Sequence, residues 1–225
     1  MSALPQFQYN ETFVQPDINV TPYLWLKFYN DLADHSPAPL SPFASVNGCS
    51  FTSQSILFTS QSAQYLSRAG IMQNIGSKPF GLSCWININS MTDTNEIFYL
   101  GEYQVGGFYC EVGTAGNINW YVNQSGGDTP VGTANGLITT GQWYNLVFSR
   151  VGGNGAIYLN GVLAGSSSLS NPTDSVTSTY VGAYFQSGTG TFTHYFSGNI
   201  SDLRTYYNNS LTQAQAQTLY KNGRK

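Results

Sequence analysis

Three glutamates, Glu96, Glu102 and Glu111, are the first residues to weigh in this chain of 225, because a pair of carboxylates is the equipment of glycosidic hydrolysis. A retaining mechanism sets two carboxyl groups about 5 Å apart, one as nucleophile and one as acid. These three fall on separate predicted elements, none with an Asp two residues on, so they read as solvated or rim carboxylates and hydrolysis is disfavoured. The histidines are His35, in a Pro-rich loop, and His194, in a Thr-rich approach to a strand. Neither lies near a Gly-x-Ser-x-Gly elbow, which leaves a nucleophilic triad unsupported. No phosphate-cradling fingerprint occurs, and Gly152-Gly153 and Gly188-x-Gly190 read as hairpin turns.

Sugar recognition has better raw material. It needs an aromatic face against sugar C–H groups, flanked by amides that bond hydroxyls. Trp85, Trp120 and Tyr121 with Asn87, Asn119 and Asn123 supply both. Strand alternation puts Trp85 with Asn87 on one face, and Asn119 with Tyr121 and Asn123 on another. The competing reading of Trp25, Trp85 and Trp143 is as core or inter-sheet residues. The loops Gly126-Gly127-Asp128 and Gly188-Thr189-Gly190 offer a rim.

The elements that must position these residues are strands. Only 8% of residues are charged while 15% are aromatic, and 24 glycines lie among Ser, Thr and Asn, a balance suited to half-buried strands joined by tight turns. The net charge of −3 comes without basic runs, which excludes the stripe that nucleic acid requires. No apolar stretch reaches the roughly 20 residues of a membrane-spanning helix. The amino terminus lacks the basic and apolar regions of a signal peptide, so the expectation is a cytoplasmic product with no membrane partner. Cys49, Cys84 and Cys110 show no CxxC spacing and read as small buried apolar residues.

Residues 1–22, interrupted by Pro5, Pro16 and Pro22, read as an extended arm able to dock on its own domain or on a neighbour. Strands are predicted over 23–29, 55–58, 64–66, 80–88, 97–100, 107–112, 118–122, 142–149, 180–183 and 195–206. Asn160-Gly161 between two apolar runs marks a two-residue hairpin. Thr212 and Gln215 form a capping box for a terminal helix, which Gly223 stops and which Leu211, Leu219 and Tyr220 pin to the sheets. Many short strands without intervening helices imply an all-β fold of two stacked antiparallel sheets.

The order of the motifs resembles the laminin-G-like, concanavalin A-like lectin and glucanase superfamily, in its LamG-like jelly-roll branch of bacteria and viruses. The resemblance is carried by Trp25 to Phe28 with Asp34-His35-Ser36, by Phe80-x-Leu82-x-Cys84-Trp85-Ile86, and by Gly141-Gln142-Trp143-Tyr144-Asn145-Leu146-Val147. It continues through Tyr158-Leu159-Asn160-Gly161-Val162, Phe196-x-Gly198-x-Ile200-x-Asp202-Leu203-Arg204-x-Tyr206 and Leu211-Thr212. It implies a two-sheet jelly-roll sandwich over residues 23–225. The Glu-x-Asp-x-x-Glu pattern of the family's glucanases is absent. Many members hold one calcium at the rim through Asp or Asn, which implies Asp34 and Asp202 as metal ligands, though Ser201 stands where an acidic residue often precedes the second. The alternative is that Asp202 pairs with Arg204 and Asp34 caps a turn. The function implied is a non-catalytic, lectin-like module for glycans or a protein surface, on a virus particle one of attachment. The alternative is a structural component of a viral capsid or other particle, assembled through the arm and without glycan affinity, and the third reading is a divergent glycoside hydrolase.

Overall fold

A run such as Phe80-Gly81-Leu82-Ser83-Cys84-Trp85-Ile86 alternates apolar and small or polar residues, the pattern of a strand with one face turned to an oily interior. A computed structural model of the chain describes residues 18–70, 75–102, 106–122, 130–172, 178–186 and 188–224, and such runs are strands in it. In order they are β1 (Leu24–Leu26), β2 (Ala44–Val46), β3 (Ser50–Thr52), β4 (Ser55–Phe58), β5 (Tyr65–Ala69), β6 (Phe80–Ile88), β7 (Asn95–Glu102), β8 (Gly106–Val112) and β9 (Ile118–Val122). There follow β10 (Pro130–Gly132), β11 (Trp143–Val151), β12 (Asn154–Leu159), β13 (Val162–Ser168), β14 (Ser178–Val181), β15 (Tyr184–Gln186), β16 (Thr191–Thr193) and β17 (Gly198–Tyr207), then helix α1 (Gln213–Lys221).

Among the described residues these strands form two large antiparallel sheets and one hairpin. The first sheet runs β13-β12-β11-β6-β17-β4-β3, with β1 paired to β17. The second runs β10-β9-β8-β7-β14-β5-β2, and β15 pairs only with β16. One core fills the space between the sheets, built from Phe80, Leu82, Cys84 and Ile86 of β6, Leu146 and Phe148 of β11, and Phe98, Phe108, Cys110 and Trp120 of the facing sheet. This is the jelly-roll sandwich expected from the sequence. Strands β4, β6 and β9 occupy the predicted spans, whereas β1 ends at Leu26 because Phe28 and Asn30 adopt φ of 61° and 59°, which no strand continues. The short strands β2, β3, β10, β15 and β16 carry too little alternation to be read from sequence.

The Asn160-Gly161 hairpin is present, with φ of 51° and 78°. Gly161 also lets the chain pass under α1, since a Cβ there would meet the Gln217 Cα at 2.8 Å. The capping box forms as predicted: Thr212 Oγ1 accepts from the Gln215 amide and the Gln215 side chain accepts from the Thr212 amide. Leu211, Ala216 and Leu219 then close over Val147 and Tyr206 on the outer face of the first sheet, joined by Ile18. Cys84 and Cys110 are buried and Cys49 is half-buried, and all three are free thiols. Of the predicted arm, residues 1–17 lie outside the described residues.

Candidate functional site

Register builds the site. Tyr121 of β9 pairs with Tyr109 of β8, Tyr109 with Tyr99 of β7, and Tyr99 with Tyr180 of β14. Their strand neighbours Trp120, Phe108, Phe98 and Val181 point into the core, so alternation turns all four tyrosines onto the outer face of the second sheet. The β15–β16 hairpin folds over this row. Tyr184 meets Tyr99 and Tyr109 edge-on, each at 5.1 Å, and Phe192 stacks on Tyr65 at 4.2 Å. Where the hairpin stops short of β9, a groove of about 440 Å³ remains, lined by Tyr109, Glu111, Tyr121, Tyr184, Gln186, Thr193 and His194. Tyr109 and Tyr121 are stacked face to face at 4.5 Å, and Tyr184 stands at 71° to Tyr109.

A carboxyl pair underlies one side of this groove. Glu96 of β7 is the cross-strand partner of Glu111 of β8, just before a bulge in the β7 register. Glu96 is 0% exposed, and the Cys110 backbone amide is the one group that favours its ionised form. Burial, reinforced by the facing Glu111, pushes its carboxyl well above the usual carboxylate range. Glu111 opens onto the groove. Burial raises it as well, but hydrogen bonds from Asn119, whose Nδ2 lies 3.3 Å from Oε1, and from Tyr121, together with the nearby His194, favour its ionised form. Burial thus raises both carboxyls, Glu96 the more strongly, and Glu111 is the one whose charged form more of its surroundings support. His194 is held beside them by its carbonyl, which accepts from the Glu96 amide at 3.0 Å, and its Nδ1 is buried without a hydrogen-bond partner.

The structure separates the residues that the sequence suggested for binding. Asn119 and Tyr121 lie on the outer face of the second sheet, at the groove, while Asn123 and the loop 126–128 lie outside the described residues. Trp120 is a correction: it is 1% exposed and packs against Phe80, Phe108 and Phe148, because its position in β9 has core parity. Trp85 and Asn87 belong to β6 on the first sheet, across the core from Tyr121. Trp85 is 8% exposed and covered by Tyr220 of α1, with ring centroids 5.8 Å apart, so the helix takes the surface a sugar would need. The turn at residues 188–190 joins β15 to β16 beside Gln186. Glu96 and Glu111 are a second correction, since the antiparallel register of the consecutive strands β7 and β8 brings them into direct opposition.

Asp34 and Asp202 meet on one residue, Trp25. Asp34 Oδ1 accepts from the Trp25 and Ser36 amides, both at 2.9 Å, and Oδ2 accepts from Ser36 Oγ at 3.0 Å and the Leu40 amide at 2.8 Å. Asp202 accepts Trp25 Nε1 at 2.6 Å and Arg204 through Nε at 2.9 Å and Nη2 at 2.8 Å. These donors occupy the lone pairs that a hard cation would coordinate, so the two carboxylates do not fit a calcium ion. The described residues hold no cluster of three or more His, Cys, Asp or Glu placed to bind a metal.

The family model described as the concanavalin A-like lectin/glucanases superfamily matches residues 60–217. Among solved structures, domain 4 of the GH43 extracellular arabinanase AbnA from Geobacillus stearothermophilus, in complex with arabinotriose, superposes with a TM-score of 0.69 at 19% identity, over 88% of this chain and 97% of that one. The binding domains of botulinum neurotoxin serotype C1 (TM-score 0.67, 13% identity) and serotype D (0.69, 15%) each cover 90% of this chain, which spans 52% of theirs. These likenesses show the fold. No curated protein sequence matches the chain.

Proposed function

Because the chain belongs to the concanavalin A-like lectin/glucanases superfamily, we propose that it is a non-catalytic glycan-binding module whose site is the tyrosine-lined groove on the outer face of the second sheet. The observation that carries this reading is the convergence of three tyrosine rings with Glu111, Gln186, Thr193 and His194 around one open cavity. Aromatic rings accept the apolar faces of pyranoses, and the polar side chains reach hydroxyls. Two neighbours of the same fold support it: the arabinanase domain was solved with arabinotriose, and cell entry of botulinum neurotoxin type C depends on two ganglioside molecules.

Glu96 supports the non-catalytic part. Hydrolysis with two carboxyls requires both to reach the scissile bond, and this one is fully buried. The test is a glycan array followed by titration calorimetry of the best ligand. Tyr121→Ala weakens binding about tenfold through loss of the stacking ring. A flat array, unchanged affinity in that variant, or release of reducing sugar by the wild-type protein overturns the reading.

A further inference from the structure

We propose that the groove selects glycans bearing a free, protonated amine. This rests on the glycan-binding reading and names the class of sugar. The first observation is the charge of the lining. Glu111 faces the cavity, and among the described residues no Lys or Arg lines it. A carboxylate on a wall without lysine or arginine disfavours uronic, sialic or sulfated sugars and attracts a cation.

The second observation is the arrangement of the rings. Tyr109, Tyr121 and Tyr184 all line the cavity beside Glu111, the first two stacked at 4.5 Å and the third at 71° to Tyr109. An ammonium group within roughly 6 Å of an aromatic face gains a cation–π attraction that strengthens when water is excluded. A ring set joined to a carboxylate suits an amine better than a hydroxyl, which gains no charge interaction from either. The third observation is the buried partner. Glu96, fully enclosed, faces Glu111 across the strand pair, and burial together with that facing carboxyl raises it well above the usual carboxylate range. A cation beside Glu111 stabilises the ionised form of a carboxyl that burial raises, so the site favours a cationic guest over a neutral one.

Titration calorimetry at neutral pH compares three trisaccharides of equal size: one of glucosamine, its fully N-acetylated counterpart, and one of glucose. The glucosamine trisaccharide binds at least about tenfold tighter than either, and Glu111→Gln, its folding checked by thermal melting, removes that preference, so that the three trisaccharides bind the variant alike. A second variant, Gln186→Glu, adds a carboxylate to the lining and raises affinity for the amine alone. Equal or tighter binding of the acetylated or glucose trisaccharide overturns the amine inference and leaves the glycan reading standing. Absence of binding by all three, together with a flat array, overturns both.

Discussion

Replacing Glu96 by Gln tests the electrostatic account of the site without touching the groove. Glu96 is raised well above the ordinary value of 4.5 by burial and by the facing Glu111, so at pH values between its unfolded and folded titration the native chain holds a proton that the unfolded chain has lost. The native state then binds more protons than the unfolded state, and stability falls as pH rises. The slope for one group is about 1.4 kcal/mol per pH unit over that interval. Gln preserves the volume and cannot titrate. For a protein of this size the slope is a loss of roughly 3–6 °C in Tm per unit. Urea denaturation at a series of pH values rising from the ordinary carboxyl value of 4.5 therefore gives a wild-type stability that declines more steeply with pH than that of Glu96→Gln, with a slope difference approaching about 1.4 kcal/mol per unit. Glu111 and all other groups titrate in both proteins, so the difference isolates Glu96. Parallel curves, or a variant that loses stability relative to wild type as pH rises, would falsify the claim of a buried, neutral acid.

Asp202→Ala leaves the Arg204 guanidinium, 1% exposed, without its bidentate partner and frees Trp25 Nε1, which costs about 3–5 kcal/mol in urea unfolding; a loss under 1 kcal/mol refutes the assignment. Gly161→Ala strains a backbone at φ 78° and presses on Gln217, so about 1–3 kcal/mol is lost and α1 becomes the first site of proteolysis, an order that limited digestion reads directly. Trp85→Ala loosens α1 but leaves glycan affinity unchanged, because Trp85 lies on the opposite sheet from the groove; a lost affinity in calorimetry moves the site to the first sheet. Chelation by EDTA leaves Tm unchanged because Asp34 and Asp202 are saturated by protein donors, and a rise in Tm on adding calcium contradicts this.

Much of the fold was legible in the chain because its signals are local. Alternation in Phe80–Ile88 and Ile118–Val122 set two strands to the residue, Asn160-Gly161 set a hairpin, and Thr212 with Gln215 set the helix start, each through backbone preferences or hydrogen bonds a few residues apart. The motif order was sufficient for the superfamily. The pairing of Asp202 with Arg204 was also within local reach, two residues apart. Of the groove proposed as the site, only Asn119 and Tyr121 were legible. Alternation tells which residues of one strand share a face, but it does not tell which face is interior, and so Trp120 was drawn into the site from the core. Nor does it tell what covers a face, and α1 closes Trp85 from nearly 140 positions away in the chain.

The sequence by itself determined strands, turns, cap and family. Only the tertiary structure decided the site. Tyr99, Tyr109, Tyr121 and Tyr180 align because β7, β8, β9 and β14 pair in one register, and Glu96 meets Glu111 for the same reason. Register between strands is set by closure of the whole core, where a slip of one residue would turn every apolar side chain outward. Which tyrosines share a row, and which acid loses its water, is therefore a property of the assembled sandwich.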